Sequence, residues 1–564
     1  MIKKLGLLFF ILLFFVQCKE SKVEEVSIKG LIAENAMVVS ARNEASTIGV
    51  AILKKGGNAF DAMIATDLAL AVVHPIAGNI GGGGFTVYRT NDGLTGALDY
   101  REKAPLAAHR DMYLDEDGTV VPEKSILGAL AVGVPGSIAG LFEIHKKFGS
   151  MPFSELIQPS IDMARNGFVL TKRQARGLNY YREAFKKANQ RVIYFDREWS
   201  EGDTLKNPNM ALTLERIRDQ GRKEFYSGRT ADMIVDCLQG LGGILTKEDL
   251  SKYKAVWRDP IEFEYKEHKI ISMSPPSSGG ICLEELFKSI EPYDIAQYAH
   301  NSEQYIQLIT EAERRVYADR AYFLGDPDFV KIPMDSLRSR FYNKNRMLDF
   351  SWEQATPSSA ISHGTIEIVE SNETTHYSVI DAFGNAVAVT NTLNGGYGSK
   401  VYVEEGGFFL NNEMDDLSAK VGSPNMFGLV GAEANSIAPE KRMLSSMTPT
   451  IIEKNGKLKM VVGSPGGATI ITSVFQNILN VIEYDMGMQQ SVSSSRFHHQ
   501  WLPDLIYFER SFDTVSFASL RQKGYHIDRE KKGSIGRVDA ILVLPDGRLE
   551  GGADPRGDDS AVGF

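Results

Sequence analysis

The sequence predicts an α+β protein, in which strands and helices are both abundant. Residues 374–394 contain two runs rich in β-branched residues around a short turn, which is typical of a β-hairpin. Residues 135–350 mostly show the apolar spacing of amphipathic helices. Strand and helix signals also alternate between residues 36 and 101. Together these patterns favour a mixed fold over an all-helical or an all-strand one.

The composition is that of a soluble globular protein. The chain has 564 residues, of which 43% are hydrophobic, enough for several domains or for one large interlocked one. Its formal net charge of −10 is modest for this length, and no long run of one sign occurs. This balance argues against nucleic acid as the main partner, because binding to a polyanion depends on clustered positive charge.

The first 17 residues indicate a secretion signal. Two lysines precede a short apolar run over residues 5–16, which is too short for a comfortable membrane span. Cys18 follows directly and resembles the lipidated cysteine of bacterial lipoproteins, although Gln17 stands where a small residue is usual. Residues 18–37 would then form a tether, and we expect a lipid-anchored protein in the periplasm or outer membrane of a Gram-negative bacterium. The alternative is a plain cleaved signal with a chance cysteine.

The other cysteines do not indicate a disulfide framework. Cys237 and Cys282 could pair, but two small buried residues is the favoured interpretation. No Cys/His group has zinc-ligand spacing, and the adjacent His498 and His499 cannot share one helix face. We therefore expect no metal site.

The first folded stretch is predicted to begin with a strand over 36–41 and helices over 45–55 and 60–73. Four glycines, 81–84, precede a strand over 85–89. This run is not a phosphate loop, because it lacks the Lys that ends such loops and precedes a strand rather than a helix. We expect it to permit close packing of the backbone.

Helices over 137–148, 153–166 and 302–322 would form a scaffold. A strand is predicted over 364–370, followed by the polar residues 371–373. Exposed polar linkers are segments where chain cleavage is feasible.

The hairpin has a predicted register. A three-residue turn with Gly384 in the left-handed conformation centres it on Phe383 and places Thr374 opposite Thr392. A slip by one residue would destroy this pairing.

A threonine at the start of this hairpin is a candidate nucleophile. A Thr hydroxyl needs a base, and an N-terminal Thr can use its own α-amino group, whose pKa is about 7.7–8.0. That role requires the bond between Glu373 and Thr374 to be cut. The alternative is that Thr374 and Thr375 are ordinary strand residues.

Six segments in one order strengthen the first interpretation. They are T-T-H-Y-S-V (374–379), L-N-N-E-M-D-D (410–416), K-R-M-L-S-S-M-T-P-T (441–450), G-S-P-G-G (463–467), H-P-I-A-G-N-I-G-G-G-G-F (74–85) and D-Y-R-E-K-A-P (99–105). Together they resemble the γ-glutamyltranspeptidases, N-terminal-nucleophile hydrolases made as one precursor that cuts itself into two subunits. The resemblance extends from about Val38 to the C-terminus.

The resemblance implies a four-layer αββα sandwich formed jointly by a large subunit, 38–373, and a small catalytic subunit, 374–564. Thr374 Oγ would attack the Glu373 carbonyl, and hydrolysis of the resulting ester would free the Thr374 amine. Thr392 would hydrogen-bond the Thr374 side chain. The N–H groups of Gly466 and Gly467, at the start of a helix over 468–482, would hold the oxyanion.

The resemblance also assigns the residues that bind substrate. Arg101, Ser445 and Ser446 would bind the α-carboxylate of a γ-glutamyl group, because an Arg fork donates two parallel hydrogen bonds to a carboxylate. Asp416, assisted by Glu413 and Asn394, would bind its ammonium. Residues 421–431 would form a lid in which Phe427 stands where many members carry Tyr, so that a hydrogen bond from a hydroxyl there is lacking. Taken singly, an Arg, an Asp-Asp pair or a Ser pair is more often a solvated surface or loop feature.

The implied activity is cleavage of the γ-glutamyl amide of glutathione and related compounds, with transfer to water or to an acceptor amino acid or peptide. No metal or organic cofactor would be needed, because nucleophile, base and oxyanion donors are all protein groups. One alternative is a cephalosporin-type acylase of the same superfamily, which has no ammonium to bind. Another is a non-catalytic peptide-binding surface lipoprotein, which predicts an uncut chain.

Overall fold

A computed structural model describes residues 29–362, 374–530 and 533–564. The predicted signal, Cys18, most of the tether, the strand over 364–370 and the linker with Glu373 lie outside the described residues. Within the described ranges, no helix has the length and apolar character that a membrane span requires.

The structure contains both predicted classes of element. The strands are β1 (Leu31–Ala33), β2 (Met37–Ser40), β3 (Gly83–Arg89), β4 (Thr95–Tyr100), β5 (Phe168–Val169), β6 (Thr204–Leu205), β7 (Val256–Arg258), β8 (Ile261–Tyr265), β9 (His268–Ser272), β10 (Thr375–Ile380), β11 (Ala386–Thr392), β12 (Tyr402–Val403), β13 (Phe408–Phe409), β14 (Thr450–Lys454), β15 (Lys457–Gly463), β16 (Phe497–His498), β17 (Ile506–Phe508), β18 (Ile527–Asp528), β19 (Asp539–Val543), β20 (Leu549–Gly552) and β21 (Ser560–Gly563). The helices are α1 (Asn43–Lys54), α2 (Ala59–Val73), α3 (Glu123–Ile126), α4 (Ser137–Phe148), α5 (Phe153–Asn166), α6 (Lys172–Asn189), α7 (Pro208–Gln220), α8 (Arg222–Ser227), α9 (Arg229–Gly240), α10 (Lys247–Lys252), α11 (Gly279–Ile290), α12 (Glu303–Phe323), α13 (Met334–Leu337), α14 (Arg340–Arg346), α15 (Thr469–Tyr484), α16 (Met488–Ser493) and α17 (Phe517–Gln522).

Two antiparallel sheets form the centre of the molecule. Their strand orders are β21-β2-β10-β11-β3-β4-β7 and β1-β20-β19-β15-β14-β9-β8. The sheets face each other, since β10 and β11 contact β15 and β19. Helices α1, α2 and α4 pack on the outer face of the first sheet, and α11, α15 and α16 pack on the outer face of the second. The fold is therefore the four-layer αββα sandwich that the sequence resemblance implied.

Alternation along the central hairpin divides its side chains between the two interfaces. Tyr377 and Val379 belong to the core shared with α1 and α2. Ala386 and Ala388 belong to the core between the sheets. Because side chains on a strand alternate between its faces, Thr374 and His376 share the face that looks toward the second sheet.

Most predicted elements are confirmed within a few residues. Helices α4 and α5 have the predicted bounds, whereas α12 begins one residue later than expected and ends one residue later. The prediction of a mostly helical stretch over 135–350 missed five strands, β5–β9. The signal for β8 was present, because Ile261, Phe263 and Tyr265 are buried and alternate with more exposed glutamates.

The glycine run packs closely against backbone, as predicted. A Cβ on Gly82 would lie 2.1 Å from the Thr392 carbonyl oxygen, and one on Gly84 would lie 2.5 Å from that of Thr390. Only glycines allow β3 and the preceding loop to approach the hairpin this closely.

The remaining cysteines and the paired histidines have ordinary surroundings. Cys237 is a half-buried free thiol and Cys282 a buried one. His498 Nδ1 lies 2.9 Å from the Thr472 hydroxyl, and His499 Nε2 lies 3.3 Å from Asp504. No group of His, Cys, Asp and Glu that could hold a metal ion occurs within the described ranges.

Candidate active site

The hairpin has the predicted register. Thr375 pairs with Asn391 and His376 with Thr390, which is the alignment that sets Thr374 opposite Thr392. Gly384 has a φ of 93°, and the Asp381 N–H donates to the Asn385 carbonyl across the turn. Thr374 directly precedes β10 and is 3% exposed.

A small cavity gathers the predicted site residues around Thr374. It is lined by Thr374, Thr392, Asn394, Arg101, Asp416, Ser445, Ser446, Gly467 and Phe427, together with Leu429, Met447 and Ile470. Its volume of about 20 Å³ leaves room for roughly one water molecule. Residues more than 300 positions apart in the chain are therefore brought together as expected.

Thr392 is fixed by its neighbours. Its hydroxyl accepts a 2.7 Å hydrogen bond from the Asn394 N–H, and its carbonyl accepts one from Asn79 Nδ2 at 2.8 Å. In the uncut chain, no hydrogen bond between the Thr392 and Thr374 hydroxyls is found in the part that the structure describes. Asn79 was quoted within a motif but received no role, and its contact with Thr392 shows that the glycine loop supports the hairpin end.

Gly466 and Gly467 form a turn before α15. Their φ angles are 137° and 54°, conformations that side-chain-bearing residues rarely adopt. Neither N–H donates to another residue within the described ranges, whereas the Gly466 carbonyl accepts from the Thr469 N–H. Two unpaired amides at the start of a 16-residue helix favour negative charge in front of them.

The lid closes directly over this turn. A Cβ on Gly467 would lie 2.4 Å from the Phe427 ring, and Phe427 is 4% exposed. The Gly422 N–H donates to the Gly431 carbonyl and closes the base of the loop. The ring of Phe427 thus closes the cavity by apolar contact alone, since Phe lacks the hydroxyl that a Tyr would carry here.

Asn425 connects the lid to the acidic residues. Its Nδ2 donates to Asp416 at 2.8 Å, while its Oδ1 accepts from the N–H groups of Phe427 and Leu429. The Met426 N–H donates to Asp415. Sequence reasoning assigned no role to Asn425, although an Asn in a Gly/Pro loop is a common source of such bonds.

Arg101 is the centre of a buried ion network. Its guanidinium lies 2.6 Å from Glu413, 2.5 Å from Asp416 and 3.6 Å from Glu102, and the residue is 1% exposed. Burial raises the pKa of Glu413 and of Asp416 above the ordinary range, and the charge of Arg101 opposes this rise. Burial alone would lower the pKa of Arg101, but the surrounding carboxylates raise it above its ordinary value. The cation is therefore fixed before any substrate is bound.

The Asp415–Asp416 pair is not a solvated turn. Asp415 accepts a 2.6 Å hydrogen bond from Ser125, and burial raises its pKa to about 7. Asp416 faces the cavity, whereas Asp415 holds α3 and the lid.

Ser446 is held by a residue that sequence reasoning missed. Arg320, on α12, donates to Ser446 Oγ and to Ser278 Oγ, each at 2.9 Å. Ser445 Oγ accepts from the Met447 N–H. Arg320 was part of a helix interpreted as scaffold, and nothing in its local spacing marks a contact 126 positions away.

His376 is a structural neighbour of the site. Its Nδ1 lies 2.9 Å from Thr390 Oγ1, and its Nε2 lies 3.1 Å from Ser378 Oγ. Burial lowers its pKa to about 3, so the ring is neutral. A Cβ on Gly463 would lie 2.2 Å from this ring, which explains the glycine at the end of β15.

The arrangement places a hydroxyl, the unpaired N–H of Gly467 and a charged network around one cavity, and the unpaired N–H of Gly466 precedes it in the same turn. The amides suit a developing oxyanion. The acids and Arg101 suit a zwitterionic group such as the α-amino acid end of a substrate. This combination favours acyl transfer from an amino-acid-like donor.

Comparisons by sequence give consistent matches. A family model described as Gamma-glutamyltranspeptidase matches residues 45–564. The glutathione hydrolase proenzyme of Escherichia coli (strain K12) is 44% identical over 547 residues, covering 96% of this chain and 94% of that protein. The glutathione hydrolase proenzyme of Pseudomonas aeruginosa is 43% identical over 519 residues, covering 90% and 91%.

Comparisons by structure agree on the fold. A cephalosporin acylase from Bacillus halodurans superimposes with a TM-score of 0.84 at 25% identity, covering 97% of this chain and 98% of that one. A chain of Helicobacter pylori gamma-glutamyltranspeptidase superimposes with a TM-score of 0.56 at 42% identity. That match covers 59% of this chain and 96% of the solved chain.

Proposed function

This chain belongs to the gamma-glutamyltranspeptidase family and is a γ-glutamyl-transferring hydrolase, and we propose that it works from the hydroxyl of Thr374 after cutting itself before that residue. The substrate would be glutathione or a related γ-glutamyl compound. The observation that carries the proposal is the single cavity that joins Thr374, the unpaired amides at Gly467 and the Arg101–Asp416 pair.

Self-cleavage would come first. Thr374 Oγ attacks the Glu373 carbonyl carbon, its proton passes to the departing Thr374 nitrogen, and the peptide bond is replaced by an ester. Water hydrolyses this ester and leaves a free α-amino group on Thr374. The relatives of Escherichia coli and Pseudomonas aeruginosa support the idea, because both are named proenzymes.

Catalysis would then use the new N-terminus. The Thr374 amine takes the hydroxyl proton while Oγ attacks the γ-carbonyl of the donor. The N–H groups of Gly466 and Gly467 stabilise the oxyanion, and the protonated amine gives its proton to the leaving amine. Water or an acceptor amine attacks the γ-glutamyl ester and regenerates Thr374. From glutathione, the first product is cysteinylglycine.

Recognition of the γ-glutamyl group would rest on the charged end of the cavity. Asp416, with Glu413 and Asn394, binds the ammonium, and Arg101, Ser445 and Ser446 bind the carboxylate. Arg320 supports this end by holding Ser446.

The acylase alternative has a specific observation in its favour, the TM-score of 0.84 to a cephalosporin acylase. Its identity to this chain, however, is 25%, against 44% for a glutathione hydrolase proenzyme. A glutaryl donor carries no ammonium and would leave Asp416 without a substrate partner. The charged network therefore favours γ-glutamyl donors.

The cellular site and the anchor are also proposals. The apolar run over 5–16 supports export, and Cys18 directly after it supports lipidation. The large and small subunits would remain together as a heterodimer of 38–373 and 374–564.

The intact mass of the purified protein tests the proposal, beside Thr374→Ala and the control Thr375→Ala. The Thr375 hydroxyl is buried without a hydrogen-bond partner within the described ranges, so its removal is expected to be mild. We expect two fragments from wild type and from the control, the smaller beginning at Thr374, and one uncut chain from Thr374→Ala. An uncut wild-type chain that still releases p-nitroaniline from γ-glutamyl-p-nitroanilide would contradict the proposed nucleophile.

A further inference from the structure

A second, larger cavity has a lining residue, Arg537, that contacts Thr374. Its volume is about 750 Å³, which is in the range of small-molecule sites. Its walls come from the end of α2 with His74, the start of α6 with Arg173 and Arg176, and the loop that carries Arg537. It shares no lining residue with the small cavity that holds Arg101 and Asp416.

Arg537 joins this cavity to the reacting groups. Its Nη2 donates to the Thr374 carbonyl oxygen at 3.5 Å, and its backbone N–H donates to Ser464 Oγ at 3.0 Å. The preceding Gly536 packs against the oxyanion turn, since a Cβ on Gly466 would lie 3.1 Å from the Gly536 Cα. One wall of the cavity is therefore a direct neighbour of both the nucleophile and the oxyanion turn.

The cavity is predominantly cationic. Lys172, Arg173, Arg176 and Arg537 line it, against the two acids Glu201 and Asp558. Asp558 is already engaged, because it accepts from Thr171 Oγ1 at 2.6 Å and from Arg42 at 3.3 Å and lies 3.9 Å from Arg173. Arg176 has no ion-pair partner in the part of the chain that the structure describes. The four cations that line the cavity therefore outnumber its two acids.

His74 is a buried polar group without a partner. It is 6% exposed, and neither ring nitrogen has a hydrogen-bond partner within the described ranges. Burial and then the charges of Arg537, Arg42 and Arg173 lower its pKa well below the ordinary range, so the ring is neutral. A neutral imidazole offers one N–H donor, and an unpaired buried donor is costly unless a ligand satisfies it.

The start of α6 adds to the same field. This 18-residue helix begins at the cavity wall, where Thr171 caps the Gln174 N–H. The first turn of a helix carries a partial positive charge. His74, the arginines and this helix end thus all favour an anion in one place.

We infer that this cavity binds the free carboxylate at the peptide end of the donor, the group that leaves as an amine, and of a peptide acceptor that takes its place. The inference rests on the proposed function. The zwitterionic end of the γ-glutamyl group is assigned to Arg101 and Asp416, so the second carboxylate of a glutathione-like donor needs its own cations. Arg173 and Arg176 suit this task because a guanidinium binds carboxylate through two parallel hydrogen bonds. Arg537, beside Thr374, marks where the leaving peptide would enter the cavity.

The test compares two donors that differ only in this carboxylate, glutathione and glutathione whose glycine ends in an amide. kcat/KM is measured for both with wild type, Arg173→Gln and Arg176→Gln. Lys187→Gln is the matched control, since Lys187 lies on the same helix and pairs with Glu123 at the surface. We expect wild type and the control to prefer glutathione over its amide by about tenfold, and the two Arg variants to lose most of that preference.

Three outcomes separate the possibilities. Equal kcat/KM for the two donors in wild type would overturn the inference and leave the proposed function intact. If Arg173→Gln and Arg176→Gln lower kcat/KM equally for both donors, the inference is also overturned. Such a result would mean that the arginines bind a free inorganic anion or have a structural role, because neither depends on the carboxylate of the donor. If wild type cuts neither donor nor γ-glutamyl-p-nitroanilide, the proposed function fails and the inference fails with it.

Discussion

The two ends of the cavity around Thr374 are built from different groups. At the recognition end, Arg101 forms ion pairs with Glu413 at 2.6 Å and with Asp416 at 2.5 Å. At the reaction end, Gly466 and Gly467 contribute backbone amides and carry no formal charge. Buried charges are costly without partners, and the ion pairs of the recognition end are in place before substrate arrives. The reaction end leaves its donors unpaired and depends on backbone conformation alone.

The difference predicts how each end responds to substitution. A changed side chain at the recognition end removes one of several charges, so its effect should depend on the substrate. A changed backbone at the reaction end moves the donors themselves, so every donor substrate should be affected alike. The four predictions that follow test this contrast, from the largest expected effect to the smallest.

Gly467→Ala should have the largest effect. The φ of 54° and a Cβ only 2.4 Å from the Phe427 ring would move the turn and its N–H groups. Loss of an oxyanion donor typically lowers kcat by about a hundredfold to a thousandfold. Gly456→Ala is the control, because Gly456 has a φ of 72° but open space around it. Equal loss of kcat in the two variants would show that general backbone strain, and not the oxyanion turn, is responsible.

Asp416→Asn should break recognition selectively. The variant lacks the charge assigned to the substrate ammonium, and we expect kcat/KM for γ-glutamyl-p-nitroanilide to fall by about a hundredfold. Glutaryl-p-nitroanilide, which has no ammonium, should lose little. Asp415→Asn is the matched control, since Asp415 bonds Ser125 and the Met426 N–H instead. A parallel loss for both donors in Asp416→Asn would contradict the assigned role.

Asn425→Ala should have a moderate effect. It removes the 2.8 Å hydrogen bond from the lid to Asp416 and the acceptor for two lid N–H groups. We expect KM for γ-glutamyl donors to rise by about tenfold while kcat changes less. Asn435→Ala offers a comparison, because Asn435 donates to the Asp416 carbonyl and not to its carboxylate. An unchanged KM in Asn425→Ala would show that the lid closes through Phe427 alone.

The smallest expected effect is on the pH dependence of the free energy of unfolding, and it comes from the buried Asp67, which contacts the hairpin. Burial raises the pKa of Asp67 to about 7, although hydrogen bonds from Tyr377 and Asn391 oppose this rise. In the unfolded chain an Asp titrates near about 3.9. Between these values the folded protein holds a proton that the unfolded chain does not, so stability falls as pH rises, by at most about 1.4 kcal/mol per pH unit.

Asp67→Asn should remove this part of the slope, measured as the free energy of urea unfolding at pH 5, 6 and 7. Asp117→Asn, an exposed Asp, serves as the control. A slope in Asp67→Asn equal to that of wild type would show that Asp67 is already ionised throughout this range.

Local sequence patterns predicted the elements whose structure depends mainly on residues that are close in the chain. The register of β10 and β11 follows from the alternation of side chains along each strand and from the left-handed conformation of Gly384. These features all lie within about twenty residues of the chain. The helices α4 and α5 follow from apolar spacing. The strands β8 and β9 were missed because they are short and lie between helices, where the surrounding helical periodicity dominated the interpretation.

The remaining site contacts depend on packing between distant segments. Asn79, Arg320 and Arg537 come from three separate parts of the chain and contact Thr392, Ser446 and Thr374, respectively. Nothing in their own neighbourhoods indicates these contacts. Arg101 was expected from a resemblance to meet a substrate carboxylate, but its ion pairs with Glu413 and Asp416 could be seen only in the folded structure. Of the predicted residues, Glu373 and Cys18 lie outside the described ranges, and their roles stay predictions.

The strand order has a consequence for a chain cut before Thr374. In the first sheet, β21, β10 and β11 follow the cut, and β2, β3, β4 and β7 precede it, so strands of both pieces alternate. The ends of the cut could move apart, but neither piece could leave without breaking hydrogen bonds along several strands. Folding would therefore be a unimolecular reaction for the precursor and a bimolecular one for the mature protein. Once denatured, the cut enzyme should regain its structure at a rate that depends on concentration, whereas the Thr374→Ala precursor should not.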